Sequence, residues 1–129
     1  MSVSAINDVN AVVVLVVEDE FFVRCDIASC LRDAGYVVVE TDSGEEAMAM
    51  CKSDMSIDMV FTDINLVGTA SGLDVAECYR MERPDVPVLY TSGKVIDERR
   101  RVPRSLFIPK PYRSIEVLDA FQRLRTPAS

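Results

Sequence analysis

Apolar residues in this chain gather in short runs, each cut off by charge or by a turn former. Ala11 to Val17 is continuous and rich in Val, and Glu18-Asp19-Glu20 ends it abruptly. A run without polar alternation is the pattern of a strand buried on both faces. The spacing then changes: Val23, Ile27 and Leu31 stand four apart, flanked by Phe22 and Ala28, which predicts an amphipathic helix. Gly35 fits a left-handed helix stop. Tyr36 to Val39 reads as a second strand. Ser43-Gly44-Glu45-Glu46 has the S-x-x-E form of a capping box and opens a helix through Ala47 and Met50 towards Cys51. Met59-Val60-Phe61 is a third strand ending at Asp63. The stretch from Val67 to Gly72, with two glycines and small polar residues, is expected to be a loop. A helix from about Leu73 to Met81 follows, with Leu73, Ala76 and Tyr79 or Arg80 towards the core. Pro84 and Pro87 bracket a turn, Val86 to Tyr90 forms a fourth strand, and Leu106 to Ile108 a fifth, stopped by Pro109-Lys110-Pro111. The last helix starts near Ser114, with Ile115, Leu118 and Phe121 on one side and Val117 and Leu124 beside it.

Strands alternate with helices, lack polar alternation, and are joined by no hairpin dipeptide. That order predicts an α/β fold, a doubly wound five-stranded parallel sheet with helices on both faces. One interval breaks the rhythm. Between Tyr90 and Leu106 only Val95, Ile96 and Val102 offer apolar anchors, and Gly93 and Pro103 confine the stretch. A fourth helix there is expected to be short or frayed. Residues 1–10 read as a flexible lead-in, 11–125 as one domain and 126–129 as a tail.

Composition narrows the function. A chain of 129 residues, 49% hydrophobic and 27% charged, is long enough for one domain with a proper core. A net charge of −7 argues against a nucleic-acid partner. No apolar run approaches the ~20 residues needed to span a bilayer, so a cytoplasmic protein without membrane contact is expected. Cys25, Cys30, Cys51 and Cys78 include no C-x-x-C pair and read as reduced, mostly buried hydrophobes. The absence of any histidine removes Ser-His-Asp and Cys-His catalysis and His-ligated zinc. Chemistry here must use carboxylates, Lys, hydroxyls or a hard metal ion.

In an open parallel sheet, sites form beyond the carboxyl ends of the strands. Those ends carry Glu18, Asp19 and Glu20 after the first strand, Asp63 after the third, Thr91 and Ser92 after the fourth, and Lys110 after the fifth. Each has a plain reading as a turn or surface residue; their coincidence at one sheet edge is harder to dismiss. Clustered carboxylates repel unless a cation sits among them, and oxygen-only ligands suit Mg²⁺, with Mn²⁺ as a substitute. Such a metal favours in-line phosphoryl transfer to a carboxylate oxygen, with Lys110 and a hydroxyl on the remaining phosphoryl oxygens. The product is an acyl phosphate on one Asp.

Taken together, Val16-Val17-Glu18-Asp19-Glu20, Phe61-Thr62-Asp63, Val86 to Gly93 and Phe107-Ile108-Pro109-Lys110-Pro111-Tyr112 resemble the receiver domain of bacterial two-component response regulators. The resemblance covers about residues 10–125 and implies a CheY-like, flavodoxin-like sheet. It implies Asp63 as phospho-acceptor and Glu18 with Asp19 as the acid pair around Mg²⁺, with Asn65 lending its backbone carbonyl to the metal. Lys110 would bind phosphate before a cis peptide to Pro111. Aligning Val86-Pro87 with the start of the family's strand puts Ser92 rather than Thr91 in the switch position, and Phe107 falls where the family places its switching aromatic. The phosphate would draw in the Ser92 hydroxyl, and Phe107 would fill the vacated space.

The chain departs from the family pattern at several points. Glu18 replaces the commoner Asp, and Leu66-Val67 with the Gly68-to-Gly72 loop replaces the usual Met-Pro. Lys94, two after the hydroxyl, stands where the family tunes acyl-phosphate lifetime. Tyr90-Thr91-Ser92-Gly93-Lys94 resembles the Phe-Ala-Thr-Gly-aromatic motif of a stand-alone alphaproteobacterial receiver subfamily, except at Lys94. The expected function is a single-domain response regulator. It takes phosphate from a histidine kinase or histidine phosphotransfer protein, and is expected to be a phospho-accepting signalling domain rather than an enzyme, catalysing only its own phosphotransfer and dephosphorylation. Output is expected through protein contacts with an unknown target, or as a phosphate sink. A Mg²⁺-dependent phosphatase with an Asp nucleophile is the alternative, but such enzymes place a second Asp where this chain has Asn65. A binding module that is never phosphorylated is a third reading, against which Asp63, Asp19 and Lys110 together weigh. The Arg99-Arg100-Arg101-Val102-Pro103-Arg104 cluster, offset by Asp97 and Glu98, is expected to be a solvated, mobile loop.

Overall fold

The computed structural model describes residues 11–94 and 98–125. The expected lead-in over 1–10, the tail over 126–129 and the anchors Val95 and Ile96 lie outside the described residues. Five strands, β1 (Val13–Val17), β2 (Val37–Thr41), β3 (Met59–Asp63), β4 (Val88–Ser92) and β5 (Ser105–Pro109), form one parallel sheet in the order β2-β1-β3-β4-β5. Four helices accompany them: α1 (Phe21–Asp33), α2 (Gly44–Cys51), α3 (Gly72–Glu82) and α4 (Ser114–Arg125). The predicted doubly wound α/β architecture is therefore the observed one. Between β4 and β5 the described residues hold only a single 3₁₀ turn, Glu98–Arg100.

Strand alternation builds two cores. Leu15, Val17, Val60, Val88 and Tyr90 face α2 and α3, where they meet Ala47, Cys51, Val75, Ala76 and Tyr79. Val14, Val16, Phe61 and Leu89 face α1 and α4 and pack on Ile27, Leu31, Val117 and Phe121. Burial on both faces is why these strands read as continuous apolar runs.

Several local expectations are corrected. The fourth strand runs from Val88 to Ser92, so Thr91 and Ser92 belong to it. The ladder continues past Tyr90, with Thr91 opposite Asp63 and Ser92 opposite Pro109. The capping box at Ser43 is only half formed: Ser43 Oγ accepts from Glu46 N at 3.0 Å, but the Glu46 carboxylate is taken by the Thr41 hydroxyl. A complete box stands instead at Ser71 and Asp74, opening α3. Gly35, at φ +99°, does end α1, with Tyr36 N–H donating to Leu31 O at 3.1 Å.

Two apolar residues assigned to helix faces are exposed. Phe22 is 83% exposed and Ile115 62%, and the buried stripes are Ile27-Ala28-Leu31 and Val117-Ala120-Phe121. Both lie in first turns. At about 100° per residue, Phe22 points away from the Ile27-Ala28-Leu31 stripe and Ile115 away from Val117-Ala120-Phe121, so both face solvent. The basic cluster is tied down rather than merely solvated. Arg100 pairs with Asp74 and Glu77 on α3 at 2.9 and 2.8 Å, and Arg104 pairs with Asp85 at 3.3 Å. Val102 is buried, its N–H donating to the Tyr90 hydroxyl at 3.1 Å.

Candidate functional site

The strand order reverses between β1 and β3, so their carboxyl ends open a crevice. Glu18 and Asp63 stand there. Glu18 continues the β1 ladder, its N–H donating to Thr41 O at 3.1 Å, and this fixes its side chain inward. The residue is 2% exposed. Glu18 Oε2 accepts from Glu20 N at 3.1 Å, and Oε1 lies 2.7 Å from Lys110 Nζ. Asp63 is the last residue of β3 and is also buried. Its Oδ1 accepts from Asn65 N at 3.1 Å and its Oδ2 from Lys110 Nζ at 2.9 Å. Lys110 follows β5; its N–H donates to Ser92 O at 2.9 Å, and its peptide bond to Pro111 is cis.

Asp19, half-buried, completes the acid group: Glu18, Asp19 and Asp63 each offer a carboxylate oxygen within 4.8 Å of the others. Asp19 Oδ2 accepts from Val67 N at 2.8 Å. The electrostatics follow from burial. Desolvation raises the Glu18 carboxyl above the usual carboxylate range, against the opposing pull of Lys110. Burial alone would lower Lys110, but its bonds to Glu18 and Asp63 outweigh that and push it above the ordinary lysine value. Tyr112 is likewise pushed up, first by burial and then by the Glu18 charge. One ammonium among three carboxylates leaves two excess negative charges in a confined, oxygen-only site. That donor set fits a hard divalent cation such as Mg²⁺.

The two hydroxyls of β4 differ in place. Ser92 Oγ accepts from Asn65 Nδ2 at 2.7 Å and from Lys94 N at 3.1 Å, so it touches the loop after Asp63. Thr91 Oγ1 is buried without a hydrogen-bond partner among the described residues. Phe107, opposite Tyr90 on β5, is half-buried and packs on the core under α2 and α3. The structure thus brings Glu18, Asp19, Asp63, Asn65, Ser92 and Lys110 to one crevice. Glu20 points its backbone to Glu18 and its residue is exposed.

Sequence reasoning missed two contributors. Val67 reaches the site only through its N–H, which no side-chain motif reports. Glu45 Oε2 accepts from Thr69 N, Thr69 Oγ1 and Ala70 N at 2.7, 2.7 and 2.8 Å, and so anchors the loop that carries Val67. In the sequence Glu45 reads as an ordinary first-turn acid.

Residues 14–122 match the family model described as the response regulator receiver domain. A response regulator receiver protein from Sinorhizobium medicae superposes with a TM-score of 0.86 at 36% identity, covering 90% of this chain and 95% of that one. The receiver domain of the hybrid histidine kinase CckA gives a TM-score of 0.77 at 28% identity, over 88% and 99%. A probable transcriptional regulatory protein of Picosynechococcus is 32% identical over 67% of this chain, which spans 37% of that relative's length. The five parallel strands in the order β2-β1-β3-β4-β5 are the architecture on which these superpositions rest. This chain belongs to the response regulator receiver domain family.

Proposed function

We propose that this domain accepts a phosphoryl group on Asp63 from the phosphohistidine of a histidine kinase or histidine phosphotransfer protein, in a Mg²⁺-dependent reaction. The observation that carries the reading is Lys110 Nζ, 2.7 Å from Glu18 and 2.9 Å from Asp63, among three convergent carboxylates. Glu18, Asp19, Asp63 and the Asn65 backbone carbonyl would hold Mg²⁺, or Mn²⁺ in its place. When bound, that ion neutralises charge on the transferring group and on the acids. An Asp63 carboxylate oxygen attacks phosphorus, the phosphorus–nitrogen bond breaks, and the imidazole leaves with the electron pair and takes up a proton. Lys110 meets the negative phosphoryl oxygens.

Ser92 is the switch hydroxyl in this reading. It now accepts from Asn65 and Lys94 while keeping its own proton to donate, and a phosphoryl oxygen on Asp63 would compete for that proton. Phe107 then repacks beside it. Output passes through protein contacts or through draining of phosphate, in the cytoplasm, from a domain spanning 11–125. Among the described residues no helix is long and apolar enough to cross a membrane. The Tyr90-Thr91-Ser92-Gly93 stretch supports a place in the stand-alone alphaproteobacterial subfamily, from whose final aromatic Lys94 departs.

The phosphatase alternative is disfavoured by Asn65, whose side-chain amide is spent on Ser92 and cannot act as a proton donor and acceptor in turn. With acetyl phosphate and Mg²⁺ the protein should take up phosphate stoichiometrically and show no sustained release from p-nitrophenyl phosphate. Many turnovers of that ester per molecule would favour the phosphatase.

A further inference from the structure

Glu45, on the first turn of α2, has a use that the chemistry above does not assign. Its Oε2 accepts three hydrogen bonds from the loop between β3 and α3, two from Thr69 and one from Ala70. Gly68 lies beneath the same carboxylate at φ +110°, and a Cβ there would come within 2.9 to 3.0 Å of the Glu45 oxygens. Only a residue without a side chain lets the loop close over the carboxylate in this way. One residue earlier, Val67 N–H donates to Asp19 Oδ2 at 2.8 Å. A continuous path therefore runs from α2, through Glu45 and the turn at Gly68, to one oxygen of Asp19.

We infer that Glu45 is a positioning residue for Asp19, acting through the Val67–Ala70 loop to hold the acid in its cation-binding orientation. The inference rests on the proposed reading that Glu18, Asp19 and Asp63 hold Mg²⁺. The physical case is one of lost freedom. Asp19 is only half-buried, and no other hydrogen bond fixes its side chain among the described contacts. The Val67 N–H engages Oδ2 and leaves Oδ1 without a hydrogen bond among the described contacts. A loop that turns at Gly68 would not by itself hold that N–H in place. Glu45 does so from a packed helix, and its carboxyl is pulled down to about 2, first by the Thr69 hydroxyl and then by the Ala70 N–H. It therefore keeps its charge, and its grip, throughout the neutral range.

Hydrogen bonds that orient metal ligands are commonly worth 10- to 100-fold in metal affinity. Glu45 stands one link further out, so we expect about a five- to tenfold effect. The test is a Mg²⁺ titration of the unphosphorylated protein, read by backbone amide chemical shifts with no phosphodonor present. Glu45→Ala should raise the half-saturating Mg²⁺ concentration by about five- to tenfold. Glu45→Gln should stay closer to the wild type, because all three donors meet a single oxygen that the amide also offers. Thr69→Ala removes one donor only, and should shift the midpoint less in the same direction, even if Glu45→Ala fails to fold. An unchanged or lowered midpoint in Glu45→Ala, or in Thr69→Ala where Glu45→Ala does not fold, overturns the inference. A wild type whose Asp19 and Asp63 amides do not respond to Mg²⁺ overturns the metal-site reading itself, a failure seen before any variant is made.

Discussion

Glu18 shows how one buried side chain trades stability for function. Burial raises its carboxyl more than Lys110 lowers it, so in the folded state the charged form is disfavoured relative to an unfolded value near 4.5. The sign of the linkage follows. The group's contribution to stability is fully present below pH 4.5 and is lost as pH rises through the higher folded value. Without metal, Glu18→Gln should therefore raise the melting temperature at neutral pH, since a neutral amide of the same shape avoids the buried charge. The gain should shrink as pH falls from the raised folded value towards 4.5 and be gone below it, where the wild-type carboxyl is protonated in both states. Thermal unfolding at several pH values, in the presence of a chelator, checks both the sign and the window. A gain that grows towards acid would contradict the account. Lys110 has a second partner in Asp63 at 2.9 Å, so the substitution does not leave it unpaired.

At the scale of elements, the approach of α3 to β3 fixes the backbone at Asp63. Gly72 opens α3, its N–H donating to Ile64 O at 2.9 Å, and a Cβ on it would overlap the carbonyl oxygen of Asp63. Backbone cannot yield there as a flexible side chain could. Gly72→Ala should displace Asp63, cost about 1–3 kcal/mol of stability, and slow phosphoryl uptake. Denaturant unfolding and uptake from acetyl phosphate measure the two effects. Uptake at the wild-type rate in a variant of undiminished stability would show that the contact does not matter.

The elements also show why some of this was legible and some not. Continuous Val-rich runs announced buried strands, and Gly35 announced the end of α1, because each signal is local. Phe22 and Ile115 are apolar and fall beside their helices' core residues in the sequence, but at about 100° per residue both stand on the opposite, solvent face. Ser43 and Glu46 had the spacing of a capping box, yet Thr41, beside them in space, claims the Glu46 carboxylate. Glu45 was opaque for the same reason: its partners Thr69 and Ala70 lie 24 and 25 residues away and are mostly backbone.

For the molecule as a whole, topology does most of the work. Once five strands are parallel and the order reverses between β1 and β3, Glu18, Asp19, Asp63 and Lys110 must share one edge, and their types already suggest phosphoryl chemistry. That is why residues 45 positions apart, Glu18 and Asp63, could be grouped before any coordinates. What topology does not supply is the finer division of labour. Ser92 rather than Thr91 reaches Asn65 because of side-chain direction along β4. Arg100 finds Asp74 and Glu77 on α3, 26 and 23 residues away, partners that chain order does not suggest. The central claim is that Asp63 carries the phosphoryl group, and one measurement tests it directly. After incubation with acetyl phosphate and Mg²⁺, intact mass is recorded, and borohydride, which reduces an aspartyl phosphate to homoserine, marks the site for peptide mapping. The account predicts a single phosphoryl adduct in wild type, homoserine at position 63, and no adduct in Asp63→Asn. An adduct that persists in Asp63→Asn, or homoserine mapped to Asp19 instead, would contradict it.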